Sequence, residues 1–295
     1  VPAGSTFDSV LDTLVTRGVV NGRRRFRLYA RLTGADRQIR WGSYELVTGT
    51  SWGEILETLT MGRVVTSEMT IPEGFSISDM VARVAETVER PADTVRARLT
   101  DPDAHLRWDL PGPGLEGYLF PDTYRFAPGV ALDVVIETMV ERYRAAWTAA
   151  RITRLEELDM SENELVTLAS IIQAEARRVE EMPTISAVYH NRLRRGMRLQ
   201  ADPTVLYALG ERRERLLYTA IDSVADNPYN TYTQRGLPPG PIAAPGEAAI
   251  HAALYPTEEG YLYFVARPDG RHIFTYSLEE HNRAREVARS EQNAA

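Results

Sequence analysis

The sequence predicts an α+β protein in two parts, a small module over residues 1–88 and a larger α+β domain over residues 89–295. A short motif recurs three times within the first ninety residues, which is typical of a module assembled from similar units. A stretch rich in proline and glycine, residues 91–114, separates this region from the rest. The second part contains capped amphipathic helices and ends with a β-hairpin turned at Asp269-Gly270, so it combines both kinds of element.

Charge and cysteine content exclude several classes of function. The 295 residues carry a net charge of −7 with a pI of about 5.4, so electrostatics give no reason to expect nucleic acid as a partner. There is no cysteine, and none of the five histidines stands at a metal-ligand spacing. No phosphate-binding or dinucleotide-binding fingerprint occurs. We therefore expect neither a metal nor a cofactor.

Each copy of the N-terminal motif combines a glycine turn, a Ser or Thr N-cap and a short amphipathic helix. The predicted caps are Thr6, Ser51 and Ser76, and strand-like segments precede the last two at 44–47 and 68–71. Over residues 41–85 the pattern resembles LysM-like modules, which bind carbohydrate. Small βα units without a binding role produce the same pattern, so both interpretations stay open.

Aromatic and acidic residues are concentrated just after the Pro/Gly-rich stretch. Three aromatic residues and two carboxylates occur within ten residues, which is unusual for a surface loop. Such a set can hold a sugar by stacking and by hydrogen bonds to its hydroxyls, or it can form a buried aromatic turn. The residues concerned are Glu116, Tyr118, Asp122 and Tyr124. We expect one long helix to follow, from about residue 132 to residue 150.

The helix that ends near Glu175 carries the most informative pattern. Ser161 and Glu164 form a capping-box signature, which predicts that the helix begins at about Glu162. At 100° per residue, Glu175 lies within the apolar arc of this helix, between the directions of Leu168 and Ile171. Burial there should raise the pKa of the carboxyl, as a general acid near neutral pH requires. The alternative is an ordinary helix-edge glutamate paired with an arginine, Arg178 or Arg192.

Polar residues in the next helix and the loops beyond it are further candidates. Asn191 and Arg192 either project towards Glu175 or belong to an ordinary polar helix face. We predict a short strand at 197–200 and a helix that begins with Asp202 as N-cap and ends at Gly210. The loops at 230–232 and 236–241 have residues suited to a preformed polar groove, although turns need the same residues.

Five motifs in order closely resemble the endolytic murein transglycosylases of the MltG/YceG-like family. The resemblance covers the chain from about residue 40 to its C-terminus. The motifs are Glu-Gly-Tyr-Leu-Phe-Pro-Asp-Thr-Tyr (116–124), Ala-Ser-Ile-Ile-Gln-Ala-Glu (169–175), Asn-Arg-Leu-Arg-Arg-Gly-Met-Arg-Leu-Gln-Ala-Asp-Pro-Thr (191–204), Tyr-Asn-Thr-Tyr (229–232) and Gly-Leu-Pro-Pro-Gly-Pro-Ile (236–242).

The resemblance implies a catalytic acid at Glu175, a LysM-like region before the catalytic domain and an open substrate groove. Some relatives have a second acidic residue where this chain has Gln173, so we expect no proton-transfer role at that position. Family members are anchored by one N-terminal membrane helix that faces the cell wall. We therefore expect a periplasmic location at the inner membrane, with an anchor that these residues do not contain.

The implied reaction needs one carboxyl group. Glu175 would protonate the glycosidic oxygen of peptidoglycan and then take the proton of the muramic acid 6-hydroxyl as it closes a 1,6-anhydro ring. Cell-wall synthases are candidate partners. The alternatives are a hydrolytic muramidase, with Glu116, Asp122 or Asp202 as second carboxylate, and a non-catalytic glycan-binding scaffold. The expected substrate-binding residues are Glu116, Tyr118, Asp122, Tyr124, Asn191, Arg192, Gln200, Asp202, Asn230, Thr231 and Tyr232.

Overall fold

The computed structural model describes residues 1, 5–40, 42, 44, 46–61, 66–210 and 216–294. The chain divides into two compact units. The first consists of Val1–Met69, Val84–Arg90 and Thr123–Ala131, and the second of Thr70–Arg83, Pro91–Asp122 and Leu132–Ala295. Helices and small sheets occur together, consistent with the expected α+β class. The expected domain boundary at residues 88 and 89 stays a prediction.

The first unit is built mainly from three helices, α1 (Phe7–Thr16), α2 (Arg23–Leu32) and α3 (Trp52–Met61). A short 3-10 turn, Ala35–Arg37, follows α2. Strands β1 (Ser67–Thr70) and β2 (Thr123–Phe126) pair as a two-stranded sheet. The helices enclose a hydrophobic core that includes Val10, Leu11, Leu14, Phe26, Ala30, Ile55, Leu56 and Leu59.

The helices predicted from the repeated motif are confirmed. Thr6 accepts a hydrogen bond from the Ser9 amide at 3.3 Å at the start of α1. Ser51 caps α3, and the Glu54 carboxylate accepts from the Ser51 amide in return. Helix α4 (Ile77–Val88) follows the third copy. Gly4 of the first copy, and part of the strand expected at 44–47, lie outside the described residues.

Four helices open the larger part of the second unit. They are α5 (Ala92–Leu99), α6 (Ala104–Arg107), α7 (Leu132–Ala145) and α8 (Ala149–Glu157). The single long helix expected over 132–150 was wrong, because the chain leaves the helix after Ala145 and starts again at Ala149. Thr148 adopts an extended conformation and its side chain accepts from the Arg151 amide, which makes it the N-cap of a new helix.

Helix α9 (Glu162–Glu175) lies in the core of the second unit. It is followed by α10 (Met182–Arg194), α11 (Asp202–Leu209), α12 (Tyr218–Ser223) and α13 (Glu247–Leu254), and it packs against α10, α11 and α13. The predicted capping box is confirmed, with Ser161 and Glu164 each bonded to the other's backbone amide. All residues from Leu165 to Ile172 are buried, so α9 is covered on every side and not only along one arc.

Two local predictions beyond α10 were wrong. Residues 197–200 form no strand, because Arg192 binds the Leu199 carbonyl and the Gln200 amide bonds to the Thr231 carbonyl at 3.1 Å. Asp202 is the first residue of α11 and makes no capping bond; Ala201 occupies the N-cap position. The predicted end of this helix is confirmed, since Gly210 terminates α11 with a φ of 66°.

The C-terminal hairpin is confirmed. Strands β3 (Tyr263–Ala266) and β4 (His272–Thr275) pair antiparallel, with Phe264 opposite Phe274. Gly270 has a φ of 82° in the turn between them. Helix α14 (Leu278–Ala294) follows, and Ser277 accepts from the Glu280 amide at its start as predicted.

Two loops of the second unit approach each other so closely that glycine is required. Gly117 has a φ of 81°, and a Cβ built there would lie 2.4 Å from the Pro241 Cβ. Gly240 similarly faces the ring of Pro113 at 2.8 Å. The proline-rich loop therefore packs directly on the segment that carries Glu116.

We expect Gly117→Ala to destabilise the protein by about 2 to 4 kcal/mol, because left-handed strain adds to a clash with Pro241. Gly196→Ala is the matched control. Gly196 has a φ of 62° but open space around it, so its cost should be only about 1 kcal/mol. Urea unfolding of the two variants measures the difference, and equal stabilities would contradict the close packing of the loops.

Candidate active site

Glu175 is the last residue of α9, at the point where the helix emerges from the core. Its Oε1 accepts a hydrogen bond from the Tyr189 hydroxyl at 2.9 Å. Tyr189 lies on α10 and is only 1% exposed. Burial, with a smaller contribution from the charge of Asp202, raises the pKa of Glu175 to about 7. The hydrogen bond from Tyr189 and the charge of Arg192 lower it but do not offset burial.

The arrangement does not support the ion-pair alternative for Glu175. Arg178 lies 3.6 Å from Glu180 and donates to the Asp269 carbonyl. Arg192 donates to the carbonyls of Leu262 at 2.7 Å and Leu199 at 2.5 Å. Among the described residues, neither arginine forms a salt bridge with Glu175. The carboxyl can therefore hold a proton near neutral pH, as proton transfer requires.

Arg192 and Asn191 connect α10 to the hairpin. The Arg192 guanidinium lies over the Tyr263 ring, 5.1 Å from its centroid, and burial lowers the pKa of this arginine. Asn191 donates to the carbonyls of Glu259 and Tyr261 at 2.9 and 2.8 Å. Both side chains are buried. Arg192 lines the cleft of Glu175, whereas Asn191 holds the chain that leads into the hairpin.

Asp202 and Tyr232 line the same cleft as Glu175. Asp202 is exposed at the start of α11, and its carboxylate accepts a short hydrogen bond from the Tyr232 hydroxyl. Asp202 is the carboxylate whose charge acts on Glu175. With Arg192 and Gln200, which line the same cleft, the structure brings together five of the predicted residues, the others being Glu175, Asp202 and Tyr232.

Asn230 and Thr231 are buried and position the residues around them. The Asn230 amide donates to the carbonyls of Ile221 and Val224, and its oxygen accepts from the Tyr232 backbone amide. The Thr231 hydroxyl accepts from the Ala201 amide at 3.0 Å. Gln200, whose φ is 51°, is exposed beside them and lines the cleft. These contacts fix the loops that carry Gln200, Asp202 and Tyr232.

Glu175 and the residues around it line an open cleft of about 730 Å³. Its lining comes from the end of α9, from α10, from the loop before α11, from α12, and from the hairpin and α14. The cleft is both aromatic and polar, and its lining includes Glu175, Tyr189, Arg192, Gln200, Asp202, Tyr232, Tyr263, His272, His281 and Arg285.

A second cleft, of about 850 Å³, contains Glu116. Both oxygens of Glu116 accept from the Ile77 amide, at 3.0 and 3.2 Å, and the Tyr207 hydroxyl donates at 3.4 Å. Burial raises the pKa of Glu116 to about 8. Ala174 lines both clefts, and α11 contributes residues to both, so the two clefts adjoin beside Glu175.

Three other predicted residues lie elsewhere. Tyr118 is fully buried and donates to Asn163 at 2.8 Å, about 18 Å along α9 from Glu175. Asp122 forms an ion pair with Arg142 at 2.7 Å. Tyr124 belongs to the first unit, where its ring stacks on Phe126.

A protein-family model described as the YceG-like family matches residues 1–287. The chain belongs to the YceG-like family. It is 33% identical over 309 residues to the endolytic murein transglycosylase of Bacillus subtilis, covering 99% of this chain and 85% of that one. It is 28% identical to a protein of the same name from Streptococcus pneumoniae, covering 96% of this chain and 56% of that one. The resemblance found in the motifs is confirmed.

A solved structure supports the same assignment. The 2.6 Å crystal structure of a YceG-like protein from Listeria monocytogenes matches with a TM-score of 0.66 and 33% identity. The match covers 96% of this chain and 97% of that one. The YceG-like fold of this chain therefore extends over nearly all its residues.

Sequence reasoning missed several residues of this YceG-like cleft. Tyr189 was not among the predicted site residues, yet its hydroxyl donates to Glu175. Tyr263, His281 and Arg285 come from the hairpin and α14, far along the chain. The one local signal was the placement of Tyr189 three residues before Arg192, which puts both on one face of α10.

Over the described residues, no group of three or more His, Cys, Asp or Glu side chains could hold a metal ion. Within the same part of the chain, no helix is both long and apolar enough to span a bilayer.

The raised pKa of Glu175 predicts a pH-dependent stability. The unfolded glutamate loses its proton near pH 4.5, whereas the folded one keeps it to about pH 7, so stability is lost progressively as pH rises through this range. Relative to wild type, Glu175→Gln should therefore gain on the order of 3 kcal/mol of stability between pH 4 and pH 8. Urea unfolding at both pH values measures this. The exposed Glu258→Gln variant is the control, and an equal gain there would contradict the assignment.

Tyr189→Phe should raise the pKa of Glu175 further, because it removes a hydrogen bond that favours the carboxylate. The phenyl ring keeps the packing against Phe264. Titration of the Glu175 carboxyl carbon by NMR measures the change. Tyr255→Phe, on a ring that does not line the cleft, should leave it unmoved, and a lowered pKa in Tyr189→Phe would show that the hydroxyl has another role.

Proposed function

We propose that the chain is an endolytic lytic transglycosylase of peptidoglycan. It cleaves the β-1,4 bond between N-acetylmuramic acid and N-acetylglucosamine within glycan strands and leaves 1,6-anhydro ends. The observation that carries the proposal is a carboxyl with a pKa of about 7 in an open cleft, at the glutamate that closes the Ala-Ser-Ile motif. The names of the relatives support the same substrate.

Glu175 acts first as an acid and then as a base. Its proton goes to the glycosidic oxygen as the bond from that oxygen to C1 of the muramic acid breaks. Positive charge then develops at C1 and the ring oxygen. The 6-hydroxyl of the same sugar attacks C1 and its proton returns to Glu175, so one C–O bond replaces another and no water is consumed. A pKa near neutral allows the carboxyl to serve in both steps.

Asp202 supplies negative charge beside the reacting centre. Its carboxylate is oriented by the Tyr232 hydroxyl and stabilises the oxocarbenium-like transition state. The same charge raises the pKa of Glu175 and so favours the protonated acid before cleavage. Arg192, held by two carbonyls, limits that rise.

The glycan strand occupies the two adjoining clefts. Tyr232 and Tyr263 offer aromatic faces to sugar rings in the first cleft, and Gln200 offers an amide to hydroxyls. Glu116 lines the second cleft and contacts the strand further from the cleaved bond. Because Glu175 stands beside their junction, the strand extends on both sides of the scissile bond, which supports cleavage within strands.

A hydrolytic muramidase is the second candidate. The observation that favours it is the position of Asp202, a second carboxylate on the same cleft. Hydrolysis commonly uses two carboxyl groups, one as acid and the other as base or nucleophile. The two reactions differ in their products, since only the lyase leaves an anhydro end without a reducing group.

We further propose that the chain works in the cell envelope, at the periplasmic face of the inner membrane and beside cell-wall synthases. The capped repeat of the first unit supports a LysM-like module with a role in glycan binding. A non-catalytic scaffold would share these properties and differ only in lacking cleavage.

Purified peptidoglycan digested with the chain should give products ending in 1,6-anhydro-N-acetylmuramic acid, because the internal 6-hydroxyl replaces water. Mass analysis before and after borohydride reduction checks this, since anhydro ends take up no hydride. Glu175→Gln should keep glycan binding and lose activity on the order of 100-fold or more.

Asp202→Asn separates the two candidate reactions. For a lyase we expect slower formation of the same anhydro product, whereas a hydrolase that uses Asp202 as base would lose its reducing product. Reducible ends from wild type would contradict the lyase. Full activity of a folded Glu175→Gln variant would contradict the role of Glu175.

A further inference from the structure

Helix α2 of the first unit directs two leucines into solvent. Leu28 is 60% and Leu32 78% exposed, whereas Phe26 and Ala30 on the opposite side are completely buried. At 100° per residue, Leu28 points directly away from the midpoint of the buried pair, and Leu32 lies 40° from Leu28. An apolar ridge on the outer face of an otherwise amphipathic helix requires an explanation beyond packing.

Arginines flank this ridge on both sides. Arg24 and Arg31 lie on one side and Arg25 on the other, and all three are exposed. The remaining two arginines of α2 are engaged, because Arg23 pairs with Asp12 and Arg27 with Asp8. No ion pair involves Arg24, Arg25 or Arg31 among the residues that the structure describes. The flanks of the ridge thus present cationic groups to whatever covers it.

The basic character continues beyond the helix. Residues 23–40 contain seven arginines and one acidic residue, Asp36, in a chain whose net charge is −7. The concentration of positive charge is therefore a property of this surface and not of the whole protein. It also lies outside the unit that contains Glu175.

We propose that the outer face of α2 binds the surface of an anionic lipid bilayer. Leu28 and Leu32 enter the boundary between headgroups and acyl chains, and the guanidinium groups beside them bind lipid phosphates. A convex helix with leucines at its crest and arginines along both flanks matches the geometry of an interfacial amphipathic helix. A free phosphate ion would satisfy the arginines but leave the leucines in water.

Sedimentation with lipid vesicles tests this proposal. The complete chain should bind vesicles containing phosphatidylglycerol and bind pure phosphatidylcholine vesicles much more weakly, with binding that falls as salt increases. Arg24→Gln/Arg25→Gln/Arg31→Gln should weaken binding on the order of 100-fold, and Leu28→Ser/Leu32→Ser should also weaken it. Soluble glycerol phosphate at millimolar concentration should not displace the protein.

Matched controls remove the same positive charge, or an exposed leucine, elsewhere. Arg90→Gln/Arg96→Gln/Arg195→Gln changes three other exposed arginines, and Leu106→Ser changes a leucine that is 68% exposed on α6. Both should bind vesicles as wild type does, and the α2 variants should cleave soluble glycan strands at the wild-type rate. Equal losses in the α2 and control variants would overturn the proposal. So would the absence of vesicle binding by wild type, in which case the ridge serves a protein partner or none.

Discussion

Placing a negative charge on the Glu175 carboxyl is unfavourable, and the contacts around this residue in the second unit determine by how much its pKa is raised. Glu175 follows a run of eight buried residues, so its carboxyl lies where the core of the unit meets the cleft. Burial opposes ionisation, the nearby charge of Asp202 opposes it further, and the C-terminal end of a helix carries partial negative charge. Among the residues that the structure describes, Tyr189 and Arg192 favour the carboxylate. The balance places the pKa near neutral pH, where a single group can donate and recover a proton.

The contacts around this carboxyl come from elements that are themselves firmly held. Helix α10 supplies both Tyr189 and Arg192, and Arg192 is bonded to carbonyls on two other segments. Its charge therefore stays at a fixed place and moderates the pKa of Glu175 without forming an ion pair with it. Such buried polar contacts hold the Glu175 carboxyl in a fixed position.

The surface offers two different chemistries in two different units. In the second unit, adjoining clefts combine carboxyl groups with aromatic rings, a set of groups suited to neutral and polar sugars. Gly117 packs closely against Pro241, and Gly240 packs closely against Pro113, where a larger side chain would clash. In the first unit, α2 combines arginine with exposed leucine, which suits an anionic and partly apolar surface. An overall charge of −7 would not reveal this contrast, because it averages both surfaces.

The sequence by itself determined the features that depend on neighbouring residues. The capping box of α9, the three capped helices of the repeat, the helix end at Gly210 and the C-terminal hairpin all follow from short-range hydrogen bonds and backbone preferences. The position of Glu175 on an apolar helix also followed, since periodicity is local. Tertiary structure alone decided what depends on distant segments: the hydrogen bond from Tyr189, the charge of Asp202 and the hairpin wall of the cleft. It also replaced the strand expected at 197–200 with a loop, because Arg192 and Thr231 bind that backbone. A local sequence pattern does not encode partners that are distant in the chain.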